Sequence, residues 1–271
     1  MSAALRAEWL KLTTTRTWWL LAAVLAVYVA VIAAFITFAY DASGAMGSAA
    51  TGGVAPPDLD EPSTVTTLYT LGVAVGYVFS AVLGVLVITT EHRYRTLTPT
   101  FLAVPRRFPV LLAKLALGAA TGLVYGVAAL VLTVPVVAGV LSLTGHPLAL
   151  GVDTVQAAIW RSVLAHALWA AVGVGLGMLV RNQVAAVIAV IAISQLVEPL
   201  LRIGLAAWSV TRGVSRYLPG AAADALTGAS IYTASGGAEL LAPWQGGLVL
   251  LGYALVLVAA GIWVTARRDV H

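Results

Sequence analysis

Residues 18–40 read WWLLAAVLAVYVAVIAAFITFAY, 23 residues without a formal charge. As a helix this run is about 34 Å long, enough to cross the roughly 30 Å hydrocarbon core of a bilayer. The apolar part of a cleaved signal peptide is only about 7–15 residues long, so the run is expected to remain as an anchor. Trp18 and Trp19 stand at its start, where amphipathic rings collect at a membrane interface. Five more apolar runs follow, at about 67–90, 109–141, 157–180, 184–203 and 244–266. Of the 271 residues, 61% are hydrophobic and 10% charged, against about 25% charged in soluble domains. A membrane barrel would alternate polar and apolar at every second residue, and these runs do not. The expected fold is an all-α polytopic membrane protein: an interfacial helix in residues 1–17, one six-span domain over 18–266, and a short tail at 267–271.

Within these runs, small residues recur at helical spacing. Gly72, Gly76, Ser80 and Gly84 lie four apart, as do Gly118, Gly122 and Gly126, and Gly173 and Gly177. Such stripes let helix backbones approach closely in lipid, where apolar burial does not drive association. They are expected to be packing seams. Pro135 is expected to kink the outer part of the third span.

The polar segments differ in character. In residues 1–17, Leu5, Trp9 and Leu12 fall on one face of a helix, the pattern of a segment lying in the interface. Asp41 to Thr66 is rich in Gly, Ala, Ser and Pro, with four acids and no base, and is expected to be a mobile loop. Residues 205–241 remain fairly apolar. Pro219 suits a first helical position, so a short helix over Gly220–Leu226 is expected in an external, partly helical cap between the fifth and sixth spans.

Charge placement sets orientation. With loops assigned to alternate sides, one side carries eleven bases against Glu8, Glu91 and Asp269, net +8, and the other four bases against eight acids, net −4; together they give the +4 of the chain. By the positive-inside rule the basic side faces the cytoplasm. Both termini then lie inside, in agreement with six spans, and the basic balance needs no nucleic acid to explain it.

No catalytic pattern is present: no G-x-S-x-G, no H-E-x-x-H and no phosphate-binding glycine loop. There are no cysteines, and the four histidines are scattered without ligand spacing. No acid lies near the middle of a span, which argues against an ion-coupled carrier. Glu198 and Arg202, four apart near the outer end of the fifth span, read either as an ion pair or, with Gln195 a turn below, as an outer gate. Arg161 and His166 read either as bonded to neighbours or as part of a substrate route. Tyr77 and Ser80 are further candidates for a path or gate.

The segment Glu91–Lys114, EHRYRTLTPTFLAVPRRFPVLLAK, carries six formal charges between two apolar runs. Thr98-Pro99 is a helix-start signal and Pro105 a stop, which frames a helix of about one and a half turns. Leu97, Phe101, Leu102 and Val104 are apolar there, with Glu91, Arg93, Arg106 and Arg107 flanking. Such a helix suits docking on another protein or resting on lipid with its arginines on phosphates.

Three stretches, EWLKLTTTRTWWLL near the start, EHRYRTLTPTFLAVPRR with Lys114, and the late RYLPGAAADAL, resemble permease subunits of type-2 ABC transporters, particularly the short six-span kind common in actinobacteria. The resemblance covers nearly the whole chain, and the Glu91–Arg107 loop is its most specific part. Many relatives have Gly where this chain has Arg95. The resemblance implies a coupling helix at Leu97–Val104 that docks on a separate ATP-binding subunit. Contacts to that subunit would come from Glu91, Arg93, Leu97, Thr98, Phe101, Leu102, Arg106 and Arg107. It implies a connector helix at residues 4–16, carrying Leu5, Trp9 and Leu12. It also implies a dimer of permeases, with a path lined partly by the second and fifth spans. The assembly would hold two permeases and two ATP-binding subunits in a bacterial cytoplasmic membrane. This chain would bind no cofactor and catalyse nothing itself, ATP and Mg residing in the partner. A path rich in Gly, Ala, Val and aromatics points to amphipathic or lipophilic cargo.

Overall fold

The structure, a computed structural model, describes residues 2–46, 56–94, 107–180, 182–206, 208–232 and 240–267. Among these residues every regular element is a helix. They are α1 (Ser2–Thr13), α2 (Thr17–Met46), α3 (Pro62–Tyr69), α4 (Leu71–Arg93), α5 (Arg107–Thr144), α6 (Asp153–Leu179), α7 (Gln183–Ala192), α8 (Glu198–Ala206), α9 (Ser209–Ser215), α10 (Pro219–Thr227) and α11 (Pro243–Arg267). A π-helical turn, Ile193–Val197, joins α7 to α8, and α3 runs almost directly into α4. Six helical stretches are therefore long and apolar enough to cross a membrane.

These helices extend past the apolar runs that announce them. Apolarity marks only the part of a helix suited to hydrocarbon; capping and propensity decide where it stops. The clearest departure lies in Asp41–Thr66, expected to be a loop. There α2 continues through Asp41 to Met46, and Pro62, preset for a first turn, opens α3 five residues ahead of the expected start at 67. Leu59 and Val65 are buried against Tyr69, Val137 and Leu141, so the described part of this segment is packed. The fourth apolar helix likewise begins at Asp153 instead of 157, and the third runs unbroken through Pro135.

Two helices form the centre. About two thirds of the apolar window of α6 (67%) and of the α3–α4 pair (61%) is buried within the chain, against 22% for α7–α8 and for α11. The reason is close approach. A Cβ on Gly84 would lie 2.1 Å from the carbonyl oxygen of Ala170, and one on Gly173 would lie 2.0 Å from that of Ala81. Each backbone occupies the space that the other's missing side chain leaves. Gly118, Gly122 and Gly126 of α5 all face α6, at Val174, Ala167 and Val163. The α4 stripe behaves differently. Gly72 faces Ala129 and Thr133 of α5, Gly76 faces Leu25 and Val29 of α2, and Gly84 faces α6. A four-residue step turns the helix by about 400°, so the stripe drifts about 40° per step and serves three neighbours in turn.

At one end of the bundle a polar knot ties three segments together. His146, between α5 and α6, places Nδ1 2.9 Å from Asp60 Oδ1 and Nε2 3.1 Å from Asp41 Oδ1. The Tyr69 hydroxyl donates to the Leu148 carbonyl nearby, at 2.9 Å. The hydrogen bond to Asp60, aided by Asp41, holds the His146 ring above the ordinary histidine value.

Gly173→Ala forces the two central helices apart and is expected to cost about 1–3 kcal/mol, read as a lower melting temperature in detergent. Gly139→Ala, where nothing lies within 4 Å of the added carbon, leaves melting unchanged. The protonated His146 ring favours the folded state, because its folded pKa is raised. That contribution is present below the unfolded value of about 6.5 and is lost as pH rises through the higher folded value. Melting temperature should therefore fall more steeply over that interval in the wild type than in His146→Ala.

Candidate functional sites at the two ends of the bundle

The basic end is organised by one carboxylate. Glu91, near the end of α4, is 5% exposed. Its Oε1 lies 2.6 Å from Lys11 Nζ of α1, and its Oε2 2.8 Å from Lys114 Nζ of α5. Lys114 is completely buried and sits two turns into α5; a buried ammonium needs an anion close by. Glu91 therefore brackets residues 95–106 between the two helices that flank them and fastens α1 to the same point. Leu12 of α1 adds an apolar contact, packing with Trp18 and Leu21 against the cluster of Leu25, Val29, Leu83 and Tyr125. The Tyr125 hydroxyl donates to the Trp18 carbonyl at 2.6 Å.

Of the residues singled out for partner contact, Glu91 is in this bracket and Arg93 is exposed, its guanidinium 5.8 Å from the Tyr94 ring centre. Arg107 is the first residue of α5. Leu97, Thr98, Phe101, Leu102 and Arg106 lie outside the described residues. Leu5 is in α1; Trp9 is half exposed, at 52%.

The other end holds a second charged cluster, built by α8 and α10. Arg202 donates Nε and Nη2 to Glu198 Oε1 at 3.1 and 2.9 Å, and Nη1 to Asp224 Oδ2 at 2.7 Å. Glu198 Oε1 also accepts from the backbone amides of Gly220 and Ala221, at 2.6 and 3.2 Å. The carboxylate thus caps the start of α10, where unpaired amides carry partial positive charge. Position 220 must be glycine for this contact, since a Cβ there would fall 2.5 Å from Glu198 Oε1. Asp224 Oδ2 accepts from the Ser230 hydroxyl at 2.7 Å, and Arg202 stacks over Tyr232, 4.7 Å from the ring centre. Burial pushes the Asp224 carboxyl above its usual range, with Arg202 and Ser230 pulling the other way. Gly228, at φ 80°, then ends α10 in a left-handed turn.

The path candidates divide. Tyr77 stacks on Trp169, ring centres 4.3 Å apart, and donates to the Ser194 carbonyl at 2.8 Å. Ser80 is buried beside His166, Oγ to Nδ1 2.7 Å. Gln195, expected below Glu198 in a gate, is exposed, while Glu198 is buried. The cause is the π-turn, closed by the Glu198 amide on the Ile193 carbonyl, which inserts one extra residue and rotates the two apart. Asp224, Ser230 and the Lys11–Lys114 pairing through Glu91 escape a sequence reading. The one signal for Asp224 in the sequence is that it is a single acid in the otherwise apolar stretch Pro219–Leu226. Among the described residues no group of acids and histidines could hold a metal ion. No family model and no curated protein matches this chain.

Glu91→Ala leaves the Lys114 ammonium buried without the carboxylate it faces and is expected to cost about 3–5 kcal/mol. Lys11→Ala removes a partner whose side chain is 42% exposed and should cost under about 1 kcal/mol. Melting of the two variants in detergent separates these values.

Proposed function

We propose that this chain is the membrane-spanning permease subunit of a type-2 ABC exporter. Two copies work with two copies of a separate ATP-binding subunit in the cytoplasmic membrane of a bacterium. The basic end, with both termini, faces the cytoplasm. ATP and Mg are held by the partner; this chain supplies the path and the mechanical link. The cargo is amphipathic or lipophilic.

One observation carries the reading: the Lys11–Glu91–Lys114 bracket. A loop that is pushed by a partner transmits force only if its ends are fixed to the helices that must move. Glu91 joins the helix before residues 95–106 to the helix after them, and adds α1. A push on that segment then reaches α4 and α5, and through the glycine contacts it reaches α6. In this reading the docking surface is the expected coupling segment with Leu97 and Phe101. Burying each would contribute roughly 1.5–3 kcal/mol before association costs. Gln195 supports a second copy, because an exposed amide on a helix otherwise showing Ile193, Leu196, Val197 and Leu200 to its surroundings finds a hydrogen-bond partner more readily against protein than against lipid. A groove of about 580 Å³ between α5, α6 and α11, lined wholly by Leu, Ala and Val, is in keeping with lipophilic cargo.

The test is the double variant Leu97→Ala/Phe101→Ala, co-expressed with the ATP-binding subunit. Cargo-stimulated ATPase activity should be lost while the permease stays inserted and melts as the wild type does. Unchanged coupling would refute the docking role. If no nucleotide-binding subunit travels with the chain in mild detergent, the protein is a structural or sensory membrane protein and the transport reading fails.

A further inference from the structure

Glu198 and Asp224 sit on different helices and share one guanidinium, that of Arg202. Two carboxylates against one cation leave one negative charge over. That charge is buried: Glu198 is 3% exposed and Asp224 6%. The cluster is lopsided as well. Glu198 Oε1 receives every hydrogen bond given to this carboxylate, from Arg202, Gly220 and Ala221. Glu198 Oε2 is buried and has no hydrogen-bond partner among the described residues. The cluster borders a cavity of about 20 Å³, bounded by Tyr77, Ser194, Pro199 and Tyr232 together with the three charged groups. That is room for about one water molecule and for no organic substrate.

The other groups facing the cluster do not neutralise it. The Tyr77 hydroxyl of α4 is committed to the Ser194 carbonyl. The Tyr253 hydroxyl of α11 is committed to the Tyr217 carbonyl. Tyr232 lies flat against the guanidinium, and Ser230 donates to Asp224. None of these is a base. An uncompensated buried carboxylate costs several kcal/mol, and a group in that position takes up a proton instead.

We propose that the Glu198–Asp224 pair holds one proton, so that the α8–α10 junction is a single-proton binding site. The oxygen without a hydrogen-bond partner among the described residues, Glu198 Oε2, carries it, and Glu198 Oε1 continues to accept from Arg202 and from the α10 amides. The loaded cluster is neutral: one carboxyl, one carboxylate and one guanidinium. Release of the proton restores a repulsion between the two acids across the one guanidinium they share. This assignment does not rest on the transport reading.

Proton counting on unfolding tests it. The full-length chain in detergent is unfolded with dodecyl sulfate in weak buffer at about pH 7, where an unfolded carboxyl, with a value near 4, is ionised. The wild type should release about one more proton per chain than Glu198→Gln, and also about one more than Asp224→Asn, because neutralising either acid removes the need for the shared proton. Equal release from the three proteins overturns the proposal. Should either variant not fold, the other gives the same readout. A further readout needs neither: in the His146→Ala background, melting temperature should fall as pH rises through the titration of the pair, and a pH-independent melting temperature overturns the proposal. Replacing choline by sodium at constant ionic strength should change nothing. Stabilisation by sodium would assign the cavity to a metal cation and would likewise overturn it.

Discussion

Contact between two backbones governs this protein. In hydrocarbon, helices gain little by burying leucine against leucine, since lipid tails are equally apolar; what binds them is dispersion at close range and whatever polar contacts they share. Gly84 and Gly173 let α4 and α6 come within carbonyl distance of one another. The other helices are then placed around that pair. The glycine row of α5 lies on α6, and α11 meets α6 on another side, with Gly175 against Leu257 and Gly261 against Met178. The helices left at the rim, α2, α7–α8 and α11, show large apolar side chains outward, among them Phe35, Ile188 and Val256. In water such a surface would aggregate; in a bilayer it is the normal exterior.

Charges inside such a bundle are costly, and among the described residues the buried acids, Glu91, Glu198 and Asp224, lie at two points. At each, an acid and a base from different helices meet, so the charge also serves as a join. Glu91 joins α1, α4 and α5. Arg202 joins α8 to α10. The first join has basic groups in excess and the second has acidic groups in excess. The asymmetry matches the basic and acidic ends that the loop charges define, so the local chemistry and the overall charge pattern agree.

The number and type of the long helices were legible, because a charge-free run of more than twenty residues has few physical alternatives. The small-residue stripes were legible as seams, though not their partners: period four marks a face, and the slow drift of that face around α4 is visible only once neighbours are in place. The course of α2 beyond Tyr40 was hidden because Asp41 and Gly44 look like loop residues, while Ala42, Ala45 and the Asp41–His146 contact sustain the helix. Gln195 is separated from Glu198 and Arg202 for a different reason. A helical wheel assumes one period throughout, and the turn at Ile193–Val197 breaks that assumption between Gln195 and Glu198. Lys114 was visible as a charge near a span, but its pairing with Glu91 across 23 positions could not be deduced from spacing.

That turn also constrains how the chain can change. A helix holding one supernumerary residue is phase-shifted downstream by about 100°. Deleting one residue at the turn would restore ordinary winding and leave Glu198 and Arg202 aimed at α10, because the wide turn absorbs one residue. Winding the same residues as a plain α-helix, or inserting one more without a second wide turn, would instead re-aim everything beyond it. The half-helix therefore behaves like a threaded part set at one angle, and its length is as much a part of its chemistry as its side chains are.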